Sequence, residues 1–292
     1  MDDRAGYAWQ IFVDATQFER LRHNQDTTAD THRPSFPLTA QIGQYIITVY
    51  RDIRYTEIHE VTRMSNAVAK PNKGLAFDGW SARWYANSTK RHLSEFKALA
   101  NRIAAELPCG SAVLEVAPGP GYLSIELAKT QQVRVATVEL SASFVEMARA
   151  SATKQNVEVD FRQGNAAAMP FDGNSFDFVV CRAAFKKFAE PVRALQEMYR
   201  VLKPNGQALI IDLLRDTPLS LVDGYVTGMN LGRLNSFITR RMFRHLVRSA
   251  YTEREIRGFI AQTDFQRADF SAEGIGFEVR LHKEPADVGL SE

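Results

Sequence analysis

The sequence predicts an α/β fold, in which a doubly wound, mostly parallel sheet of seven strands carries helices on both faces. From residue 112 onward, short apolar runs alternate with segments whose apolar residues recur every three or four positions. That alternation is typical of strands and helices following one another. In addition, a glycine-containing turn at residues 117–121 lies between the first predicted strand and the next helix, which is where open α/β sheets bind ligands.

The first 38 residues are predicted to form an arm that is separate from the main domain. Apolar residues spaced by three and four predict a helix over residues 7–23. The polar, proline-containing stretch 24–38 predicts a linker. A helix with an apolar face has to dock, either on its own domain or on a neighbouring subunit, and the sequence leaves both alternatives open.

Residues 39–292 are predicted to form the main domain. It begins with helices at about 39–69 and 90–107, and an insertion near 214–251, rich in Phe, Met and Arg, is interpreted as a lid. Strands are expected at 112–116, 133–139, 157–162, 176–181 and 207–213, with helices at 122–129, 143–152 and 191–202. A helix near 253–261 precedes strands near 267–270 and 276–281, which are expected to complete the sheet as an antiparallel pair.

Composition disfavours several classes of protein. The 36 basic and 34 acidic residues give a formal charge of +2, which is too balanced for the basic surface of a nucleic-acid binder. The amino terminus carries acids where a signal peptide would be positive, and no apolar run approaches the roughly 20 residues of a membrane span. Cys109 and Cys181 form no disulfide framework or paired-cysteine metal motif. We therefore expect a cytoplasmic protein with no nucleic-acid or membrane partner and no bound metal.

The turn itself, in VLEVAPGPGYLSIELAK at residues 113–129, differs from the common nucleotide-binding motifs. The dinucleotide fingerprint G-x-G-x-x-G places a third glycine where this chain has Ser124, and it requires no acid in the preceding strand, where Glu115 lies. A mononucleotide P-loop ends in Gly-Lys-Ser/Thr, which is absent here. A nicotinamide-dependent oxidoreductase is therefore the less favoured alternative.

S-adenosylmethionine fits the turn better, because it has no phosphates and carries a cationic amino-acid end. A carboxylate near the end of the first strand, Glu115, can orient that end. A second carboxylate at the end of the next strand can accept both ribose hydroxyls. Glu139 lies at that place, 18 residues after Gly121. The two acids and the turn together predict S-adenosylmethionine as the cofactor.

Four runs in order, VLEVAPGPGYLSIELA, TVELSASFVEMARA, VDFRQGNAAAMPFDGNSFDFVVCRAAF and EMYRVLKPNGQALIIDL, resemble the motifs of class I S-adenosylmethionine-dependent methyltransferases. The group of ubiquinone/menaquinone C-methyltransferases is the most similar in style. The resemblance covers about residues 80–281 and implies a Rossmann-like methyltransferase sheet. It implies these cofactor-binding residues: Tyr85, Glu115, Ala117, Gly119, Gly121, Glu139, Leu140, Gly164, Asn165, Ala166, Cys181 and Arg182.

Two of these positions depart from the family pattern. Ala117 replaces the first family glycine, which predicts a backbone with negative φ at that residue. Asn165 stands where the family usually has an aspartate that contacts the adenine amino group. An amide can still donate or accept a hydrogen bond there, but the charge is missing.

The acceptor site is expected to be apolar and to lack an evident base. The fourth-strand segment CRAAFKKF has no motif for methylation of base amino groups, and His245 is the best-placed histidine in the variable tail. Pocket candidates are Phe185, Tyr225, Met229 and Phe237. An electron-rich carbon needs no base in the first step, and aromatic faces stabilise the resulting cation. Carbon methylation is therefore favoured.

The predicted arm and the run from the glycine turn to CRAAFKKF are also similar to the C-methyltransferases of teleocidin-type indole alkaloid biosynthesis. That likeness implies methylation of an alkene in a prenylated indole, coupled to terpene cyclisation. It also implies a homo-oligomer whose arm is exchanged between subunits. A quinone or polyketide O- or C-methyltransferase is the alternative, and a small molecule is the expected acceptor in either case.

Overall fold

The computed structural model describes residues 82, 86, 93–229 and 232–285. The predicted arm, its linker, the helix at 39–69 and the cofactor candidate Tyr85 lie outside the described residues. They remain predictions. Within the described ranges, no helix combines the length and the apolar character needed to cross a membrane.

The described chain alternates strands and helices from residue 111 onward. The helices are α1 (Leu93–Glu106), α2 (Tyr122–Lys129), α3 (Ala142–Lys154), α4 (Pro191–Val201), α5 (Leu219–Gly228), α6 (Arg233–Ser249) and α7 (Glu253–Ile260). The strands are β1 (Ser111–Val116), β2 (Val133–Glu139), β3 (Asp160–Gln163), β4 (Phe176–Arg182), β5 (Leu202–Leu213), β6 (Arg267–Glu273) and β7 (Gly276–His282). A short 3-10 turn, Phe185–Lys187, follows β4.

These strands form one seven-stranded sheet in the order β3-β2-β1-β4-β5-β7-β6. The first five strands are parallel, whereas β7 runs antiparallel to both β5 and β6. The predicted fold class is confirmed, including the final antiparallel pair. The chain order reverses direction between β1 and β4, so the carboxyl ends of these strands border the crevice where doubly wound sheets bind ligands.

The core lies on both faces of this sheet. All six residues of β1 are buried, as expected for a central strand covered on both sides. On one face, Phe96 and Ile103 of α1 and Leu123 of α2 pack against Val113 and Val180. The opposite face is covered mainly by apolar residues of α4 and α7, among them Leu195, Met198 and Ile256.

Two strands start three or more residues away from their predicted first residue. Strand β3 starts at Asp160 rather than at 157, and β5 starts at Leu202 rather than at 207. The early start of β5 shifts its register against β4 between Phe176 and Phe178. The polar stretch that contains Pro204 hides this extension, because proline and glycine usually signal a loop.

The insertion forms two helices, α5 and α6, which pack on each other. Val222 and Val226 of α5 meet Phe243 and Val247 of α6 in a small buried cluster. The periodic apolar residues of the sequence form this contact. These two helices are called the lid.

Candidate functional site

The glycine turn joins β1 to α2 at the carboxyl end of the sheet. Gly119 and Gly121 both have positive φ, 57° and 77°. At Gly121 an added Cβ would lie 2.9 Å from Cβ of Ala148 and 3.0 Å from the ring of Phe161. Glycine is therefore required here both by backbone conformation and by space. The turn lies in close contact with α3 and β3.

Ala117 corrects one sequence prediction. Its φ is +56°, so the backbone is left-handed there and the predicted negative φ is wrong. The Ala117 N–H donates to the Val138 carbonyl at 2.8 Å, which fixes the first residue of the turn against β2. A left-handed alanine is strained, and the glycine usual at this position in the family would relieve that strain.

Glu115 lies in β1, opposite Thr137 of β2 and Val180 of β4. Its side chain is 3% exposed, and it accepts a hydrogen bond from the hydroxyl of Ser124 in the first turn of α2. Burial raises the pKa of Glu115 to about 7, despite opposing contributions from Ser124 and Arg182. The carboxyl group therefore titrates close to neutral pH.

Glu139 is the last residue of β2 and is almost fully buried. Its two carboxylate oxygens accept backbone hydrogen bonds from Gly119 and Ser141, each at 2.9 Å. Burial raises the pKa of Glu139, and these two backbone donors oppose that rise. The contact with Gly119 ties the second acid to the glycine turn, a link across 20 residues that sequence reasoning missed.

A second turn follows β3 and includes Gly164, Asn165 and Ala166. The Gly164 N–H donates to the Glu139 carbonyl at 2.9 Å, and the Asn165 side-chain oxygen accepts from the Ala167 N–H at 2.9 Å. The Asn165 side chain thus stabilises its own turn. Leu140, which follows Glu139, is 39% exposed. The structure therefore brings Leu140 and this turn to the same edge as Glu139.

The end of β4 supplies the other side of the crevice. Cys181 is buried, and burial raises the pKa of its thiol well above the ordinary value. Arg182 donates to Glu95 of α1 at 2.9 Å, and its guanidinium lies 4.3 Å from the centroid of the Phe96 ring. Arg182 is thus held by α1, and its positive charge also reaches Glu115.

A buried ion pair fixes the segment that follows β4. The Lys186 ammonium lies 2.7 Å from Asp212 of β5, with both side chains almost fully buried. Asp212 also accepts from the Lys186 N–H at 2.8 Å and from the Leu213 N–H at 2.7 Å. The Lys186 ammonium and the two backbone donors therefore compensate the buried Asp212 carboxylate, as a buried ion pair requires.

The five acceptor-pocket candidates lie in different surroundings, from the buried core to the exposed surface of the lid. Phe185 is fully buried in the core. Its ring centroid lies 5.6 Å from that of Phe188 and 5.9 Å from that of Tyr251. Tyr225 is 44% exposed, with the Phe243 ring at 5.1 Å. Met229 packs on the buried lid cluster, His245 is half-buried in α6, and Phe237 is 66% exposed.

Residues 114–210 match the model of a methyltransferase domain family. The chain is 34% identical over 101 residues to a demethylmenaquinone methyltransferase of Deinococcus radiodurans. That alignment covers 34% of this chain and 42% of the other protein. It is 27% identical over 185 residues to the ubiquinone/menaquinone biosynthesis C-methyltransferase UbiE of a Marinomonas species, covering 60% of this chain and 73% of that one. The chain thus spans less than half the length of the Deinococcus relative.

A solved structure has the same fold. It belongs to a provisionally assigned S-adenosylmethionine-dependent methyltransferase of Methanococcus maripaludis, with a TM-score of 0.57, 19% identity and coverage of 77% of this chain and 100% of the other. The fold, the family match and the turn between two strand-end acids agree with one another. Residues 114–210 therefore carry a methyltransferase domain on a sheet of the Rossmann-like methyltransferase fold, and its cofactor is S-adenosylmethionine.

Proposed function

We propose that this protein transfers the methyl group of S-adenosylmethionine to a carbon atom of a small, largely apolar acceptor. The observation that carries the proposal is the pair of buried carboxylates at adjacent strand ends. Glu115 faces the start of α2, and Glu139 accepts the Gly119 N–H at 2.9 Å. Two buried acids on one glycine turn suit a cofactor that has a cationic end and a ribose diol.

In this proposal each part of the edge has its own role toward the cofactor. Glu115 attracts the cationic amino-acid end, and Glu139 accepts hydrogen bonds from the ribose hydroxyls through its remaining lone pairs. Leu140, Asn165 and Ala166 border the adenine. When bound, the cofactor supplies an electrophilic methyl group on its sulfonium sulfur.

Ala117, Gly119, Gly121 and Gly164 contribute backbone that lets the cofactor approach closely. Cys181 and Arg182 border the methyl group from β4, and Tyr85 is proposed to close over the cofactor from the amino-terminal side. Because Cys181 is buried and small, it can border the methyl group without competing as a nucleophile.

The protonation of Cys181 and Tyr225 is compatible with a carbon acceptor, which need not lose a proton first. Burial raises the pKa of both Cys181 and Tyr225, so neither side chain is a ready base at neutral pH. An alkene or electron-rich arene can attack the methyl group without a base in the first step. The aromatic side chains Tyr225 and Phe243, in contact at 5.1 Å, are suited to stabilise the cation that this attack leaves.

We further propose a prenylated indole as the acceptor, with methylation of its alkene coupled to terpene cyclisation as in teleocidin-type biosynthesis. The alternative acceptor is a quinone or polyketide, and the names of the menaquinone and ubiquinone relatives favour a quinone. A homo-oligomer held by the arm at residues 1–38 belongs to the same proposal, with no nucleic-acid or membrane partner and with a cytoplasmic location.

A labelled-methyl transfer assay tests this function. The protein is incubated with methyl-labelled S-adenosylmethionine and, separately, with prenylated indoles, demethylated quinones and polyketide phenols. We expect label in a carbon–methyl product of one apolar class, identified by mass spectrometry. Label found only on oxygen would contradict carbon methylation, and binding of S-adenosylhomocysteine without transfer to any class would contradict the acceptor proposal.

A further inference from the structure

Ser124 occupies the position of the third glycine in a dinucleotide fingerprint, and its side chain makes a buried hydrogen bond. It is fully buried in the first turn of α2, and its hydroxyl donates to an oxygen of Glu115 in β1. The backbone N–H of Ser124 also stabilises the ionised form of Glu115. One residue therefore provides two of the donors that face a buried acid.

The groups around Glu115 come from each neighbouring element. Ser124 faces it from α2, Arg182 acts on it from β4, and Glu139 acts on it from β2. Thr137 lies opposite Glu115 in the adjacent strand, and its buried hydroxyl has no hydrogen-bond partner. Ser124 is therefore the only described residue whose side chain donates a hydrogen bond to Glu115, while Arg182 acts through its charge.

We propose that Ser124 is a positioning residue, whose hydroxyl holds the Glu115 carboxylate in the orientation that receives the cationic amino-acid end of S-adenosylmethionine. This inference rests on the proposed role of Glu115 in cofactor binding. A carboxylate in the low-dielectric interior keeps its charge only where donors compensate for lost water. Serine at this position thus provides a function that glycine could not.

The proposed role of Ser124 makes cofactor binding depend on pH. Burial raises the pKa of Glu115 to about 7, so the empty site binds a proton below that pH and is ionised above it. The ammonium of the cofactor attracts only the ionised form, so affinity should fall as pH drops through 7. Removal of the Ser124 hydroxyl takes away a donor to the ionised form and should raise the pKa of Glu115 further.

Calorimetric titration with S-adenosylhomocysteine between about pH 5.5 and 9 tests this. The proteins are the wild type, Ser124→Ala, the conservative Ser124→Thr and Glu115→Gln. Thr137→Val is the matched control, because it removes a buried hydroxyl that has no hydrogen-bond partner. We expect Ser124→Ala to bind about tenfold more weakly than wild type at about pH 6.5, the effect of about one pKa unit. The two should be within a few-fold of each other at about pH 9.

The remaining variants decide what each outcome means. Thr137→Val should follow the wild-type profile, Ser124→Thr should restore it, and Glu115→Gln should lose the fall in affinity near pH 7. A Ser124→Ala profile that superimposes on the wild type would overturn the positioning role. If the wild type binds no S-adenosylhomocysteine at any pH, the proposed function itself fails, which is a separate result.

Discussion

The cofactor edge, formed by the ends of β1–β3 and their turns, differs from the lid in what holds each together. At the cofactor edge, backbone N–H groups and buried acids make the contacts, as in the 2.9 Å bond from Gly119 to Glu139. The lid has a small apolar cluster and surface polar bonds, such as Arg244 to Asp223 at 3.1 Å and Arg240 to Thr227 at 3.0 Å.

The contrast indicates which part of the fold can change. Backbone contacts survive most substitutions, so the cofactor edge is constrained mainly at its glycines and its two acids. In the lid, the side chains of Tyr225 and Phe237 are 44% and 66% exposed, and surface positions tolerate exchange. Under the proposed function, exchanges in the lid would therefore alter the acceptor site and leave the cofactor edge intact.

The largest effect is expected outside both regions, at the buried pair Lys186–Asp212 near the carboxyl ends of β4 and β5. Lys186→Met leaves the Asp212 carboxylate buried without its cation, and we expect the protein to lose about 3–5 kcal/mol of its free energy of unfolding. Chemical denaturation measures this. Lys129→Met, which breaks the exposed pair with Glu126, is the control and should cost about 0–1 kcal/mol. Equal losses in the two variants would show that Lys186–Asp212 behaves as a surface pair.

Gly121→Ala tests whether the turn is constrained by conformation and by space. The positive φ of 77° and the 2.9 Å approach to Ala148 should together cost about 2–4 kcal/mol of stability. Cofactor binding should be lost with it. Thermal unfolding and calorimetry measure the two effects.

Gly258→Ala is the matched control for that change. Gly258 lies in α7, and a Cβ added there would meet no other atom within 4 Å. Alanine there should stabilise the protein by about 0.5–1 kcal/mol, because alanine favours helix. A Gly121→Ala protein as stable as Gly258→Ala would contradict the account of the turn.

Glu139→Ala should weaken S-adenosylhomocysteine binding about 30-fold or more, because the ribose loses a charged acceptor and the Gly119 N–H loses its partner. Isothermal titration measures the affinity. Glu146→Ala, an exposed acid on α3, is the control and should bind as the wild type does. Unchanged affinity in Glu139→Ala would remove the proposed ribose contact.

The smallest effect is expected in the lid, for Tyr225→Phe. The ring keeps its contact with Phe243, and only the hydroxyl is removed. If the acceptor is a carbon that needs no base, the rate of methyl transfer should change by less than about threefold, whereas loss of a general base costs at least about a hundredfold. Tyr225→Ala, which removes the ring as well, should raise the KM for the acceptor. A hundredfold slower Tyr225→Phe enzyme would identify Tyr225 as a base.

Local patterns in the sequence were sufficient to predict the helix after the glycine turn and the strand that ends at Glu139. The bounds of α2 and β2 agree with the predicted 122–129 and 133–139, because apolar periodicity and the flanking turn residues determine both. The early start of β5 was missed, since its first residues read as a turn. Strand pairing determined that boundary, and pairing involves residues far away in the chain.

The side-chain contacts at the site were the least predictable part. The positive φ of Ala117 runs against the usual preference of alanine, and a single sequence gives no signal for it. The bonds from Ser124 to Glu115 and from Gly119 to Glu139 join different elements. Only the folded arrangement brings these atoms together. Ser124 at a position expected for glycine was the one visible hint.

The bond from the Gly119 N–H to Glu139 fastens the glycine turn to its neighbouring strand through groups of the protein itself. A loop that is ordered in advance loses little conformational entropy when its ligand arrives, so more of the contact energy remains as affinity. The cofactor edge is thus a preorganised binding site. Because little conformational entropy is lost when the cofactor binds, the contacts contribute more fully to its affinity.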